Sequence, residues 1–125
     1  MRRRLLLAAA AVLVMGIVGL FSWSAWKEGR VPPGPPEEAG RILFAGKKCV
    51  RCHKIAGTGG LMGPDLTVVS LRRSGQWLDR YLMDPQAIKP GAKMPKPKIN
   101  DLQRAAIIAY LATLDGESPV VHPVP

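Results

Sequence analysis

Both cysteines of this 125-residue chain fall in one five-residue stretch, Cys49-Val50-Arg51-Cys52-His53. A C-x-x-C-H run is the pattern of c-type haem attachment. Two thiols three positions apart can each add to one haem vinyl group. The histidine that follows is then held beneath the ring, with its imidazole toward iron. Three other chemistries use the same residue types. A thioredoxin-like pair wants a βαβ context, and no strand-like alternation flanks Cys49. A zinc site would draw on Cys49, Cys52, His53 and His122, but adjacent Cys52 and His53 chelate one ion poorly and no second C-x-x-C is present. A plain disulfide accounts for the thiols and leaves the histidine without a role. Two cysteines also exclude a disulfide-dense secreted scaffold. No Walker-type or dinucleotide-type glycine loop gives nucleotide chemistry a foothold.

The first 30 residues read as a separate segment. Arg2, Arg3 and Arg4 precede an apolar run that continues, past Ser22 and Ser24, to Trp26. From Leu5 to Trp26 there are 22 residues, about 33 Å as a helix, against a bilayer hydrocarbon core of about 30 Å. A cleaved signal usually carries an apolar core of about 7–15 residues. The expectation is therefore a single retained transmembrane helix, with Trp23 and Trp26 at the exit interface. Three leading arginines place the N-terminus in the cytoplasm and the rest outside. The alternative is a removed signal, with Ser22-Trp23-Ser24 as its small-x-small cleavage site. Val31-Pro-Pro-Gly-Pro-Pro36 favours an extended, semi-rigid spacer. The resulting division is an anchor over 1–30, a Pro-rich linker over 31–39, a haem domain over 40–116 and a Pro-rich tail over 117–125.

Charge narrows the partners. The whole chain has 18 Lys and Arg against 9 Asp and Glu, a formal +9. From Glu37 onward the surplus is only +5, read residue by residue, well short of a nucleic-acid binder's density. The basic residues also lack the interleaved aromatics of a stacking surface.

A haem domain also calls for a second axial ligand. Met15 falls in the anchor, which leaves Met62, Met83, Met94 and His122. Met62 follows His53 too closely to cross easily to the other face. Met83 sits in an amphipathic stretch where it would fill core, and His122 lies in the terminal tail. Met94 occupies a non-helical loop, Lys89-Pro-Gly-Ala-Lys-Met-Pro95, stiffened by Pro90 and Pro95, and is the preferred ligand. The helices expected around it run over Glu37–Lys48, from an N-cap at Ser74 to Asp84-Pro85, and from Asn100 to the stop at Gly116. The last of them puts Ile107, Tyr110, Leu111 and Leu114 on one side. Three such helices make an all-α domain of about 80 residues, close to the lower limit for a self-sufficient core. Haem would supply much of that core, so the haem-free chain is expected to be largely unstructured.

Over Glu37 to Gly116 the chain resembles a class I monohaem cytochrome c. The residues that carry the resemblance are Gly40 and Phe44 ahead of Cys49-Val-Arg-Cys-His53, then Gly63-Pro64-Asp65-Leu66, then Tyr81-Leu82-Met83-Asp84-Pro85 and Pro90-Gly91-Ala92-Lys93-Met94-Pro95. The resemblance implies one covalently bound haem c, held by Cys49 and Cys52. It implies iron ligated by His53 and Met94, with Pro64 accepting a hydrogen bond from His53 and Tyr81 near the methionine sulfur. Arg72, Arg73 and Trp77 stand as possible propionate partners, and no spacing selects among them. With both axial positions filled by protein, the chain is expected to carry single electrons between respiratory partners rather than act as an enzyme. Lysines 47, 48, 54, 89, 93, 96 and 98 would ring the haem edge and dock on acidic surfaces. The expected place is the extracytoplasmic side of a bacterial inner membrane. The alternative is a fixed subunit of a larger membrane oxidoreductase, its anchor packed through Gly16 and Gly19.

Overall fold

Asn100 and Gln103 close a reciprocal cap: the Asn100 side chain accepts from Gln103 N–H at 2.9 Å, and the Gln103 side chain accepts from Asn100 N–H at 3.2 Å. Two orphan donors of a helix start are satisfied at once. In the computed structural model this cap opens the last of the six α-helices found among the described residues. The structure describes residues 2–117 and, within its first helix, the side chains of residues 6–7 and 9–20. The elements are α1 (Arg2–Glu28), α2 (Pro36–Gly46), a 3-10 turn over Cys49–Arg51, β1 (Lys54–Ile55), β2 (Thr58–Gly59), α3 (Val69–Arg72), α4 (Gly75–Met83), α5 (Pro85–Ile88) and α6 (Asp101–Ala112). The chain divides into two units, residues 1–30 and 31–125.

The first unit is α1. Its described side chains are all exposed, apolar residues included, from Leu6 and Leu7 to Ile17, Val18 and Leu20. Among the described residues no helix is long and apolar enough to cross a membrane. The interfacial side chains expected at Trp23 and Trp26, and the tail with His122, lie outside the described residues.

The second unit is mostly helical and is organised by the crossing of α2 and α6. α2 starts at Pro36, inside the stretch read as an extended spacer. Proline at the first turn gives up an N–H that had no partner anyway, and Glu37 and Glu38 favour the positive end of the helix dipole. A Cβ on Gly40 would lie 1.9 Å from the Ala106 carbonyl oxygen and 2.8 Å from Tyr110 Cβ. Only glycine lets the two backbones meet there. One turn on, Phe44 meets Tyr110 edge to face with ring centroids 5.7 Å apart. Around this crossing lie buried Ala39, Leu43, Ile107, Leu111 and Leu114.

α3 and α4 pack on α6, and α5 packs on α4. Ser74 caps α4 by accepting from Trp77 N–H at 3.2 Å. Leu78 and Leu82, four apart, are its buried face. Met83 is 46% exposed and does not fill core as expected, because one residue beyond Leu82 the helix has rotated its side chain away. Arg104 of α6 reaches Asp79 of α4 at 2.7 Å and Asp101 at 2.8 Å. The Ser70 hydroxyl of α3 donates to the Leu114 carbonyl at 2.9 Å. Of the five helices described in this unit, three match the sequence expectation. The additional α3 and α5 are four residues each, too short for a periodic pattern to register.

Candidate haem site

α2 ends abruptly after Gly46. Lys47 N–H bonds back to the Leu43 carbonyl at 2.8 Å and Lys48 N–H to the Ala45 carbonyl at 2.9 Å. Lys48 takes a left-handed conformation, φ +64°. That turn hands the chain into the 3-10 segment, where Cys52 N–H and His53 N–H both donate to the Cys49 carbonyl, at 3.1 and 3.0 Å. The two cysteines and the histidine therefore share one tight turn, and both thiols are free. Cys49 packs half-buried against the core, and burial pushes its thiol up to about 11.

The loop that follows is sewn to this turn through glycine. Lys54 pairs with Gly59 and Ile55 with Thr58 in the antiparallel β1–β2 hairpin, whose corner uses Ala56 and Gly57 at positive φ. Gly60 N–H donates to the Val50 carbonyl at 2.8 Å, and Gly63 N–H to the Cys52 carbonyl at 2.7 Å. Asp65 accepts from Thr67 N–H at 2.9 Å and sits 3.4 Å from Lys54. The Thr67 bonds first, then Lys54, hold its carboxyl below the usual carboxylate range.

His53 is fixed by this loop. Its Nδ1 lies 2.9 Å from the Pro64 carbonyl oxygen. A carbonyl can only accept, so Nδ1 carries the proton and Nε2 keeps its lone pair for a metal. A Cβ on Gly63 would fall 2.6 Å from His53 Cε1 and 2.7 Å from Nδ1, so the imidazole occupies the space that a glycine leaves. Gly63→Ala is expected to push the ring off Pro64 and lower stability by about 2 kcal/mol. Denaturant unfolding of the haem-loaded protein measures this, and an unchanged midpoint would contradict it.

A second group of side chains lies on α4, α5 and the loop after them. Tyr81 is half-buried and stacks on Trp77 with centroids 4.8 Å apart, while the Arg73 guanidinium lies 4.4 Å over the Trp77 ring. Arg72 is exposed. Asp84 caps α5 by accepting from Ala87 N–H at 3.2 Å. The methionine candidates separate cleanly here. Met62 is 83% exposed and Met83 46%, whereas Met94 is half-buried and packs against the core cluster.

A paired-thiol turn, an imidazole with its Nε2 free, and an inward thioether from a distant loop are a donor set that suits haem c. Among the described residues no group of three or more His, Cys, Asp or Glu could hold a bare metal ion, so the zinc alternative finds no cluster there. The family model for cytochrome c matches residues 37–115. The chain belongs to the cytochrome c family. It is similar to cytochrome c2 of Rhodopila globiformis, 38% identical over 107 residues, covering 69% of this chain and 99% of that one. Cytochrome c of Ginkgo biloba is 32% identical over 102 residues, covering 64% of this chain and 88% of its own. Cytochrome c oxidase subunit 2 of Alkalihalophilus pseudofirmus is 32% identical over 106 residues, covering 74% of this chain but only 31% of the subunit. The chain thus spans about a third of that relative's length. As a class I monohaem cytochrome c it carries one covalently attached haem c with its iron, and it is a haem-based electron carrier.

Two features of this cytochrome c site escaped the sequence reading. The cradle at Gly63 shows only once the His53 ring is placed, although a glycine next to the implied acceptor Pro64 was a usable signal. Gln86 was passed over because nothing in its neighbourhood pattern marks it; its role emerges from the geometry of the Met94 loop.

Proposed function

We propose that Cys49 and Cys52 hold the haem through thioethers, that His53 Nε2 and Met94 sulfur are the axial ligands, and that the chain is a one-electron carrier working on the extracytoplasmic side of a bacterial inner membrane. The observation that carries the ligand assignment is the His53–Pro64 hydrogen bond, 2.9 Å, which fixes one tautomer and points the other nitrogen's lone pair outward. Bound haem supplies a site that cycles between ferrous and ferric iron. The protein's part is to keep both axial positions filled in the two states, so that little moves when an electron arrives. Pro64 holds the imidazole, the Met94 loop holds the sulfur, and Tyr81 lines the pocket beside it.

Membrane tethering rests on α1. A 27-residue helix is about 40 Å long, and the apolar run from Leu5 to Trp26 behind three arginines suits a lipid surrounding better than water. The domain's positive surplus favours weak docking on acidic surfaces of respiratory donors and acceptors, with exposed Lys89, Lys93, Lys96 and Lys98 on the methionine side. The likeness to a cytochrome c oxidase subunit supports a second reading, a fixed subunit of a larger membrane oxidoreductase.

A haem-stained denaturing gel of alkali-washed membranes, from cells that express the full chain with c-type maturation, tests the proposal. A stained band near the 13.5 kDa chain mass is expected in the membrane fraction. Stain confined to the soluble fraction would overturn the tether, and membrane-bound protein without stain would overturn the haem assignment. Stoichiometric companions after mild solubilisation would select the subunit reading over the free carrier.

A further inference from the structure

The Met94 loop is poorly anchored by its own backbone. Pro90, Pro95 and Pro97 have no N–H to give. Among the described residues, no N–H from Lys93 to Lys98 donates to a backbone carbonyl. What backbone order the loop has comes from Ala92 N–H to the Lys89 carbonyl at 2.9 Å, passing through Gly91 at φ +80°, and from Ile99 N–H to the Pro97 carbonyl at 3.1 Å. Yet Met94 has to present its sulfur steadily.

Gln86, on α5, supplies the missing anchor. Its carboxamide oxygen accepts from Gly91 N–H at 3.2 Å, and its nitrogen donates to the Ala92 carbonyl. Both ends of one planar amide are thus spent on two successive residues of the loop, two and three positions before Met94. Ala92 itself is buried, so the fork grips the loop where it enters the core. α5 is in turn fixed at its start by the Asp84 cap and by buried Pro85. A donor and an acceptor held at fixed spacing specify a loop conformation that no apolar or simply charged side chain could.

We propose that Gln86 is a positioning residue for the methionine side of the haem: its amide fork on Gly91 and Ala92 restrains the Met94 loop and so slows the departure of the Met94 sulfur from iron. This deepens the function proposed above and rests on Met94 being the axial ligand. Removing the fork frees the loop to swing out without unfolding the domain, and an external ligand can then take the vacated position.

The test uses the full-length ferric haem protein and imidazole as the competing ligand. Two readouts are followed: the weak long-wavelength sulfur-to-iron absorption band, and the affinity and limiting rate of imidazole binding. In Gln86→Ala the resting protein is expected to keep the band while imidazole affinity and limiting rate rise about tenfold, the size expected for two lost neutral hydrogen bonds. Gln86→Glu retains an acceptor for Gly91 N–H and loses the donor to Ala92, so it is expected to fall between wild type and alanine. Arg104→Ala, which breaks the α4–α6 ion pair with Asp79 and the pair with Asp101 within α6, is expected to lower the denaturation midpoint and leave imidazole binding as in wild type. Unchanged imidazole binding in Gln86→Ala with the band intact would overturn the clamp alone. An equal rise in Arg104→Ala would also overturn it, by making the effect general loosening. A band that survives Met94→Ala would overturn the ligand assignment itself, and the proposal with it.

Discussion

Gly40→Val is expected to be the most damaging single substitution outside the haem-binding residues. The valine Cβ would begin 1.9 Å from the Ala106 carbonyl oxygen and 2.6 Å from its carbonyl carbon. These are backbone atoms inside α6 and cannot swing aside. α2 and α6 must separate, which opens the Phe44–Tyr110 contact and uncovers Leu43, Ile107 and Leu111 together. Overpacking that moves backbone costs about 1–3 kcal/mol, and lost burial adds about 1.5–3 kcal/mol for each large apolar side chain uncovered. A loss of about 4 kcal/mol or more follows, a large share of the 5–15 kcal/mol that holds an ordinary domain together. Gly46→Ala is the matched control. Its Cβ meets nothing within 4 Å, and removing a flexible glycine from the helix should raise stability by about 0.5–1 kcal/mol. Denaturant unfolding of the haem-loaded proteins measures both, and a Gly40→Val midpoint close to wild type would refute the crossing as described.

The double variant Cys49→Ala/Cys52→Ala should lose more than its cofactor. Covalent haem stain is expected to vanish, and with it cooperative folding. The protein-only core of the second unit is a cluster of twelve buried side chains, of which Ala39 and Ala106 contribute little area. An ordered domain of this size is near the limit at which a core can offset chain entropy alone. Thermal unfolding followed by circular dichroism should show a weak, broad transition with much reduced helicity. A sharp transition with native-like helicity would mean that α2, α4 and α6 hold one another without haem.

What could be read from the sequence was what is written locally. The Cys49–His53 turn, the Ser74 cap and the Asn100–Gln103 capping box each occupy three to five consecutive residues, and their side chains act on their own backbone. The inward face of α6 followed from periodicity, whereas at Met83 of α4 one residue of rotation separates core from surface. Met94 was preferred over Met62 and Met83 for its loop, and their exposures separate them in the same sense. The hairpin at Lys54–Gly59, the left-handed Lys48 and the Gln86 fork were not legible. Each depends on where backbone from another segment passes, and two-residue strands carry no alternation to detect. Gly40 and Gly63 lie between these cases: glycine is visible in the sequence, but only the atoms facing it reveal what it makes room for.

The spacing of the closures also bears on the order in which the molecule can assemble. Cys52 and Gly63 are joined by a 2.7 Å bond across a short span of chain, while Gly40 must find Ala106 across most of the domain. The ratio of those loop lengths makes the long closure costlier in chain entropy by about 1.6 kcal/mol. The ring of backbone bonds around the cysteines can therefore form while α2 and α6 are still apart. Contacts of high sequence separation are the slow ones, so a newly made chain can pass through a stage in which the attachment turn is shaped but still open to solvent. In such a chain the Cys49 thiol is not yet packed against the core, and it is more accessible to chemistry before α2 and α6 meet than after.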